Sequence, residues 1–234
     1  MARNIAIIPA RGGSKRLPRK NVLPFLGKPI ISYTVEAAGK SGLFDVIVVS
    51  TEDSEIAAAV RGSGCEIHAR APELATDTAR VVHVIREVLD TFARKEQRFD
   101  FLCCLYPTAP LRDEEDIQRS YDLLLARGAD YCLAVTEYEV SPFFAFDLDE
   151  RSEVRRRWPE LALLPPWQKP RVVADNGSLY WASVLRFMEL GELEGPNAVG
   201  YLMPRHKSID IDTQEDFDMA EFFAGKYRIN KKDS

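Results

Sequence analysis

The chain has 234 residues, a formal net charge of −5, 46% hydrophobic residues and 29% charged residues. This length and composition are typical of one globular α/β domain with a sizeable core. The net negative charge argues against nucleic acid or an anionic membrane as the main partner, so we expect neither.

The four cysteines and three histidines show no metal-binding or disulfide pattern. No C-x-x-C pair occurs, and Cys103 and Cys104 are adjacent in the apolar run FLCCLY, where small core residues are expected. Unpaired cysteines are typical of a reducing compartment. The first apolar run ends after a few residues in a basic loop, unlike a secretory signal, and no apolar run approaches the length of a membrane span. We therefore expect a cytoplasmic protein.

Strand-like and helix-like segments alternate along most of the chain. Apolar runs typical of buried strands occupy 4–9, 45–50, 66–68, 100–106 and 131–136. Helical spacing follows Pro29 as far as Gly42 and recurs at 54–62, 78–94 and 113–127. Two more strands, at 178–182 and 198–203, precede a last helix at 213–224 and the charged tail KYRINKKDS, which we expect to fray. This order predicts one α/β domain over 1–234, a Rossmann-like three-layer αβα fold with a mainly parallel sheet.

The alternation breaks at 137–174. This segment contains aromatic residues near its start, the basic run Arg155-Arg156-Arg157 and the proline-rich stretch PELALLPPWQKP. Many large apolar residues without helical or strand periodicity indicate a surface that packs on something, most simply a second subunit. We therefore predict that 137–174 is an insertion with hairpin-like pieces that serves homodimerisation and the substrate site.

A concentrated basic loop, IPARGGSKRLPRKN at 8–21, follows the first predicted strand. Its glycines allow backbone N–H groups to face a ligand, and Arg11, Lys15 and Lys20 can act as counter-charges. Ligands of open α/β sheets bind at the carboxyl ends of strands, where this loop begins. The loop has neither the ending of a Walker A motif nor the spacing of G-x-G-x-x-G. It therefore indicates a binding site for a small polyanion such as a triphosphate. A basic loop that merely faces water explains the pattern equally well.

A second feature is the carboxylate pair in SIDID at 208–212. In an extended segment Asp210 and Asp212 point to the same side, because strand side chains alternate. Two neighbouring carboxylates bind protons or a hard cation, and Mg²⁺ with substrate phosphates is the usual solution. The alternative is that Asp212 only caps the last helix. The polyphosphate loop favours the metal, because transfer chemistry at phosphorus needs charge neutralisation.

Three other loops lie at the ends of predicted strands. They are RAPELATD at 70–77, YPTAPLR at 106–112 and ADNGS at 174–178. An ordinary turn explains any one of them taken alone. Their shared position at the presumed ligand edge of the sheet makes them candidates for a binding site.

Taken in order, these segments resemble the cytidylyltransferases that activate nonulosonic, sialic-type sugars as CMP-sugars. The resemblance runs from Asn4 to Phe223 through IPARGGSKRLPRKN, GKPII, VVSTEDSEIA, RAPELATD, YPTAPLR, DNGSLYW and SIDIDTQEDF. It implies a nucleotidyltransferase fold and a reaction in which the anomeric 2-hydroxyl of a nine-carbon 2-keto sugar acid attacks the α-phosphorus of CTP. Pyrophosphate then leaves. The implied partners are CTP and this sugar acid, and the implied cofactor is Mg²⁺.

The resemblance also implies roles for individual residues. Those that would bind the nucleotide are Ala10, Arg11, Gly12, Gly13, Ser14, Lys15, Lys20, Asn21, Arg70 and Asp77. Those that would bind the sugar are Tyr106, Thr108, Arg171, Asn176 and Gly177. The metal ligands would be Asp210 and Asp212, and the catalytic residues would be Arg11, Lys15, Lys20 and Asp212. No histidine stands at an obvious site, so we expect metal and lysine electrostatics to assist the attacking hydroxyl in place of a general base.

The identity of the sugar stays open on sequence grounds. The run CCLYPTAP is similar to the pseudaminic acid branch of the family, whereas DNG at 175–177 is similar to the sialic and legionaminic branch. Arg80-Val81-Val82 replaces Ser or Thr near the cytosine, and Trp167-Gln168 replaces an arginine followed by glutamine, so Arg171 is the candidate for the sugar carboxylate. The alternatives are a CMP-Kdo-type or other nucleotide-sugar pyrophosphorylase and a catalytically silent nucleotide-binding homologue.

Overall fold

The structure, a computed structural model, describes residues 2–228. The strands are β1 Asn4–Pro9, β2 Pro24–Phe25, β3 Lys28–Pro29, β4 Val46–Thr51, β5 Glu66–Ala69, β6 Phe101–Leu105, β7 Tyr131–Glu137, β8 Phe146–Leu148, β9 Val154–Arg156, β10 Val173–Ser183 and β11 Ala198–Leu202. The helices are α1 Ile30–Ser41, α2 Ser54–Ala59, α3 Val81–Arg94, α4 Glu114–Ala126, α5 Pro159–Ala162, α6 Val184–Leu190 and α7 Gln214–Arg228. No helix of this part of the chain is long and apolar enough to cross a membrane.

Seven strands form the central sheet, in the order β11-β7-β10-β6-β1-β4-β5. Strand β10 runs antiparallel to its neighbours β6 and β7, and the other adjacent pairs are parallel. Because β10 runs the opposite way, its start lies at the edge where its parallel neighbours end. The loops after β1, β5 and β6 and the first residues of β10 therefore meet at one edge of the sheet.

Strand β1 shows why helices cover both faces of this sheet. Its side chains alternate: Ile5 and Ile7 pack with α3 and α6, whereas Ala6 and Ile8 pack with α1 and α4. All four side chains are fully buried. Burial on both faces requires a nearly continuous apolar run, which is the pattern that the sequence has here. The predicted three-layer α/β fold with a mainly parallel sheet is confirmed.

Two of the helices begin at aspartates that cap them. The Asp53 carboxylate accepts hydrogen bonds from the first N–H groups of α2, at 2.8 and 3.1 Å. The Asp113 carboxylate accepts from the Asp116 N–H at 3.3 Å, and the Asp116 carboxylate accepts from the Asp113 N–H at 3.1 Å, which completes a capping box for α4. Both caps lie on the ligand edge of the sheet, so they also fix the loops that precede the two helices.

Other local predictions differ from the structure only in detail. The predicted strand at 178–182 is the end of a longer β10, which contains an irregularity between Asp175 and Tyr180. Within 137–174 the hairpin-like piece is the antiparallel pair β8–β9. Three cysteines, Cys103, Cys104 and Cys132, are fully buried free thiols, as expected for core residues. The tail predicted to fray is helical as far as Arg228, and its remainder lies outside the described residues.

Candidate functional site

A cavity of about 570 Å³ opens at the edge where β1, β5 and β6 end. Eleven of the residues singled out in the sequence line it: Arg11, Ser14, Lys15, Lys20, Asn21, Arg70, Asp77, Tyr106, Thr108, Asp210 and Asp212. They come from four separate loops and are brought together because parallel strands end at a common edge.

The backbone of the basic loop is fixed against the start of α2. The Gly12 N–H donates to Glu52 Oε1 at 2.7 Å, and a Cβ at Gly12 would overlap the Asp53 carboxylate. Arg19, with a left-handed φ of 60°, donates to Asp53 Oδ2 at 2.5 Å and also pairs with Glu55. These contacts use Gly12 and Arg19 to hold the loop, whereas other cations of the loop face the cavity.

Two of the cavity cations, Arg11 and Lys15, share the Asp77 carboxylate. The Arg11 Nη1 to Asp77 Oδ1 distance is 2.8 Å, and the Lys15 ammonium contacts Asp77 Oδ2. Hydrogen bonds from Lys15 and then Arg11 hold the pKa of Asp77 below its usual range. In this structure, therefore, an anionic side chain rests on the cations predicted to bind phosphate.

Lys20 and Arg16 form a second cationic pair, around Asp212. Lys20 Nζ donates to Asp212 Oδ1 at 2.7 Å and to the Ile211 carbonyl at 2.6 Å. Arg16 Nη2 donates to Asp212 Oδ2 at 2.5 Å. Partial burial alone would raise the pKa of Asp212, but Lys20 and Arg16 outweigh it and hold this pKa below its usual range. The basic loop and the carboxylate loop are thus joined directly across the cavity.

Asp210 is the more exposed carboxylate of the pair, and Asp212 is intermediate. The protein around the Asp210 carboxyl group displaces water, and this desolvation, assisted by the charge of Asp212, raises its pKa, although Thr108 donates a hydrogen bond to it. Backbone pairing places the segment, since the Ile211 N–H donates to the Thr108 carbonyl at 2.8 Å and the Ile211 side chain is fully buried. Ile211 and its neighbours form a third apolar cluster with α7 and Phe25.

The chain leading to this carboxylate pair is held by a buried cluster of charges. Lys207 Nζ lies 2.8 Å from both Asp113 Oδ2 and Asp116 Oδ2 at the start of α4. Tyr201 Oη donates to the second Asp116 oxygen at 3.1 Å. Ser208 accepts from Asn176 Nδ2 at 3.0 Å, which ties the same segment to β10. The carboxylate loop is therefore fixed on both sides.

A second cavity, of about 480 Å³, adjoins the first and shares Tyr106 and Asp210 with it. Its other lining residues are Thr136, Asp175, Asn176, Gly177, Tyr180 and Ser208. Tyr180 Oη donates to the two Asp175 oxygens, at 2.8 and 2.7 Å. Burial raises the pKa of Tyr180 well above its ordinary value, and Asp175 raises it further. Tyr180 therefore stays protonated and can donate a hydrogen bond in this cavity.

Arg70 is a nearly buried cation in the first cavity. Its Nη2 donates to the Ser50 carbonyl at 2.6 Å, and its nearest carboxylate oxygen, Glu52 Oε2, is 4.0 Å away. Burial lowers its pKa, although arginine remains charged. Arg70 is consequently fixed by its contact with the Ser50 carbonyl, and its guanidinium lines the first cavity as a positive charge.

Four predicted site residues do not line either cavity. Ala10 is buried with its N–H bonded to the Ser50 carbonyl, Gly12 faces α2, and Gly13 has open space beside it. Arg171 was expected to bind the sugar. Its side chain is 74% exposed and contacts Glu137 at 3.4 Å, and within one chain it does not line the second cavity. Arg171 lies just before β10 and pairs instead with Glu137 at the end of β7.

Sequence reasoning also missed several lining residues. No binding role was predicted for Arg16, although it lies inside the basic loop and lines the first cavity. None was predicted for Tyr180, which was assigned only to a strand and lines the second cavity. The available signal was the position of Tyr180 close behind Asn176 and Gly177, at the ligand edge of the sheet. No local signal marks Thr136, which reaches the cavity through its pairing with Ala174, or Ser208, which is held there by hydrogen bonds to Asn176 and the Pro204 carbonyl.

Comparison with known proteins adds four findings. A family described as Cytidylyltransferase matches residues 5–147. Pseudaminic acid cytidylyltransferase of Campylobacter jejuni subsp. jejuni is 33% identical over 229 residues, which are 97% of this chain and 97% of that protein. CMP-N,N'-diacetyllegionaminic acid synthase of Legionella pneumophila is 33% identical over 94% of this chain and 95% of its own. Among solved structures, CMP:2-keto-3-deoxy-manno-octonic acid synthetase complexed with CTP has a TM-score of 0.65 at 17% identity, over 96% of this chain and 99% of that chain, which is a likeness of fold.

Proposed function

The chain belongs to the cytidylyltransferase family, and from this premise we propose that it transfers CMP from CTP to the anomeric 2-hydroxyl of a nonulosonic acid. The hydroxyl oxygen loses its proton to solvent and forms a bond to the α-phosphorus, the bond from that phosphorus to the bridging oxygen breaks, and pyrophosphate leaves with the electron pair. The relatives named for pseudaminic and legionaminic acid support this acceptor class. The product is a CMP-sugar for glycan synthesis.

One observation carries the proposal: a cationic loop and a carboxylate pair face each other across a single cavity, next to a second polar cavity. The first cavity suits a nucleoside triphosphate, because Arg11, Lys15 and Lys20 offer counter-charges. The second suits a sugar, because its lining consists of hydroxyl, amide and carboxylate groups. Asp210 and Tyr106 stand at the junction, where the attacking hydroxyl and the α-phosphorus would meet.

Within this assignment the chain's own residues act chiefly by position and charge. Lys20, fixed by the Ile211 carbonyl, would neutralise charge that develops on the phosphoryl oxygens. Arg11 and Lys15 would bind the outer phosphates after leaving Asp77, and Asn21 would hold the loop through its hydrogen bond to the Arg11 carbonyl. No described histidine lines either cavity, which supports electrostatic assistance in place of a histidine base.

Asp210 and Asp212 fit a magnesium ion. They offer oxygen ligands only, and desolvation raises the pKa of Asp210, so a nearby cation would stabilise its charged form. Across residues 2–228 no group of three or more acidic, histidine or cysteine side chains is placed to hold a metal. A pair of carboxylates completed by substrate phosphates is the usual arrangement for Mg²⁺. When bound, Mg²⁺ supplies positive charge at the phosphates.

Pyrophosphate release tests the function directly. The protein is incubated with CTP and Mg²⁺ and with N-acetylneuraminic, legionaminic, pseudaminic or Kdo acid in turn, and mass spectrometry identifies any CMP-sugar. We expect release only when CTP, Mg²⁺ and a nine-carbon acid are all present. Preference for Kdo would favour the alternative pyrophosphorylase, and tight CTP binding without turnover on any acid would favour a silent homologue.

The variant Asp212→Ala tests the carboxylate assignment. We expect kcat to fall by about 100-fold or more, the usual cost of losing a group that stabilises transition-state charge. Asp218→Asn is the matched control, because Asp218 is an exposed carboxylate on α7 that only bonds Gln214. Equal rates for Asp212→Ala and the unchanged protein would remove Asp212 from the site.

We also propose that the protein is a cytoplasmic homodimer that uses 137–174 as its contact surface. Large apolar side chains in this insertion are exposed, among them Leu163 at 83% and Trp167 at 82%. Such a cluster is unusual on a monomer and supports burial against a second copy. The double variant Leu163→Ser/Trp167→Ser is expected to shift the sedimentation of a dimer to that of a monomer, and an unshifted dimer would place the contact elsewhere.

A further inference from the structure

Arg16 is a cation of the first cavity to which neither the sequence analysis nor the proposed function gives a role. It lies on the loop after β1, and its Nη2 is 2.5 Å from Asp212 Oδ2. Its side chain is 67% exposed, whereas that of Lys20, which contacts the other Asp212 oxygen, is 12% exposed. Two cations of very different exposure therefore hold the same carboxylate.

Lys20 is the fixed member of this pair. It is bonded to the Ile211 carbonyl as well as to Asp212, so it stays in place whatever happens to the carboxylate. Arg16 has no second hydrogen bond or ion pair within residues 2–228. An exposed ion pair of this kind is weak, because water screens it and the long side chain loses entropy when it is held. Arg16 is thus the member that can leave.

Both carboxylate oxygens of Asp212 are paired with cations as long as Arg16 stays in contact with Oδ2. Each of its oxygens contacts a cation, while Asp210 has no ion pair among the described residues. Lys20 and Arg16 thus offset much of the negative charge of Asp210, Asp212 and the neighbouring Asp216 without a metal. A divalent ion that approached Asp212 Oδ2 would meet the Arg16 guanidinium and be repelled by it. A triphosphate in the same cavity would offer Arg16 a doubly bonded alternative, because guanidinium matches phosphate geometry.

We propose that Arg16 is an exchangeable counter-ion: it occupies Asp212 Oδ2 in the nucleotide-free protein and moves to the outer phosphates when CTP binds. The inference rests on the proposed function for its choice of nucleotide. It makes binding of the divalent ion and of CTP mutually favourable, because each is helped by the departure of Arg16 from Asp212. The nucleotide-free protein would consequently bind free divalent ions poorly.

The variant Arg16→Gln separates the two halves of this exchange, since they predict effects of opposite sign. Mn²⁺ binding to the nucleotide-free protein, followed by electron paramagnetic resonance, should tighten by about threefold, the scale of one exposed ion pair. CTP binding, followed by calorimetry without metal, should weaken by about tenfold, the scale of one charge-assisted hydrogen bond. CMP lacks the outer phosphates, so its affinity should stay within about twofold.

Arg119→Gln is the matched control. It removes the same charge from an exposed ion pair on α4, with Glu115, and should leave all three affinities unchanged. Unchanged or weaker Mn²⁺ binding by Arg16→Gln would overturn the proposal, and so would equal losses for CTP and CMP. Failure of the unchanged protein to bind CTP would count against the proposed function, whereas the Mn²⁺ result judges the contact with Asp212 by itself.

Discussion

Replacing Lys207 by methionine should destabilise the protein more than its place in a loop suggests. Lys207 is the cation between Asp113 and Asp116, and the side chains of all three are mostly buried: 18% exposed for Lys207 and Asp113 and 4% for Asp116. Methionine keeps the apolar stem but leaves two carboxylates without this cation. Removing one partner of a buried ion cluster costs about 3–5 kcal/mol, and partial exposure favours the lower end.

A loss of about 3 kcal/mol corresponds to a fall in Tm of roughly 6–12 °C for a domain of this size. The loss should also depend on pH. Burial already raises the pKa of Asp116, and Lys207 opposes this effect, so Lys207→Met should raise the pKa further. A carboxyl group with a raised folded-state pKa destabilises the fold only where it is charged. The destabilisation should therefore be largest near pH 8 and shrink towards about pH 5.

Urea unfolding of Lys207→Met at these two pH values measures the effect. Arg119→Met is the control, because its ion pair on α4 is exposed and should contribute less than about 1 kcal/mol. Adding Asp116→Asn to Lys207→Met should recover part of the stability, since one uncompensated charge disappears. An equal loss at both pH values, or no recovery in the double variant, would refute the electrostatic account of this cluster.

Two further predictions concern the basic loop and the far edge of the sheet. Gly12→Ala would drive a methyl group into the Asp53 carboxylate and should raise the KM for CTP by about tenfold in the pyrophosphate assay. Gly13 has open space beside it, so Gly13→Ala should change this KM less than about twofold. Burial lowers the pKa of His68, so the folded state resists its protonation while the unfolded chain accepts it. The unfolding free energy should therefore fall from about pH 7 to pH 5, and less steeply in His68→Gln, as measured by urea unfolding.

Features encoded within a few residues could be predicted from the sequence. The positions of strand β1 and helix α3 follow from apolar spacing, which reports burial directly, and the start of α4 follows from the acidic run 113–116, which complements the helix dipole. The proximity of the basic loop to Asp210 and Asp212 could also be predicted, because the carboxyl ends of parallel strands lie at the same edge of a sheet. These inferences need only local periodicity and one topological rule.

Features that depend on pairing between distant segments could not be predicted. Asp175, Asn176 and Gly177 read as a turn, yet they lie within β10, where Gly177 adopts a φ of 64° at the irregularity in pairing. Nothing local reveals that β10 runs antiparallel to its neighbours. Similarly, the ion pair of Arg16 with Asp212 joins residues 196 positions apart, and charge alone does not select one carboxylate among many.

The pairing of Glu137 with Val173 has a consequence for how this protein can change. These two residues are neighbours across β7 and β10, so the insertion leaves the sheet and returns to it at one point. A segment whose ends already meet can be lengthened, shortened or exchanged without altering the register of the strands that carry the nucleotide loops. The insertion is thus a replaceable module on a constant sheet, and it can be exchanged for the corresponding segment of a relative without disturbing the loops that line the two cavities.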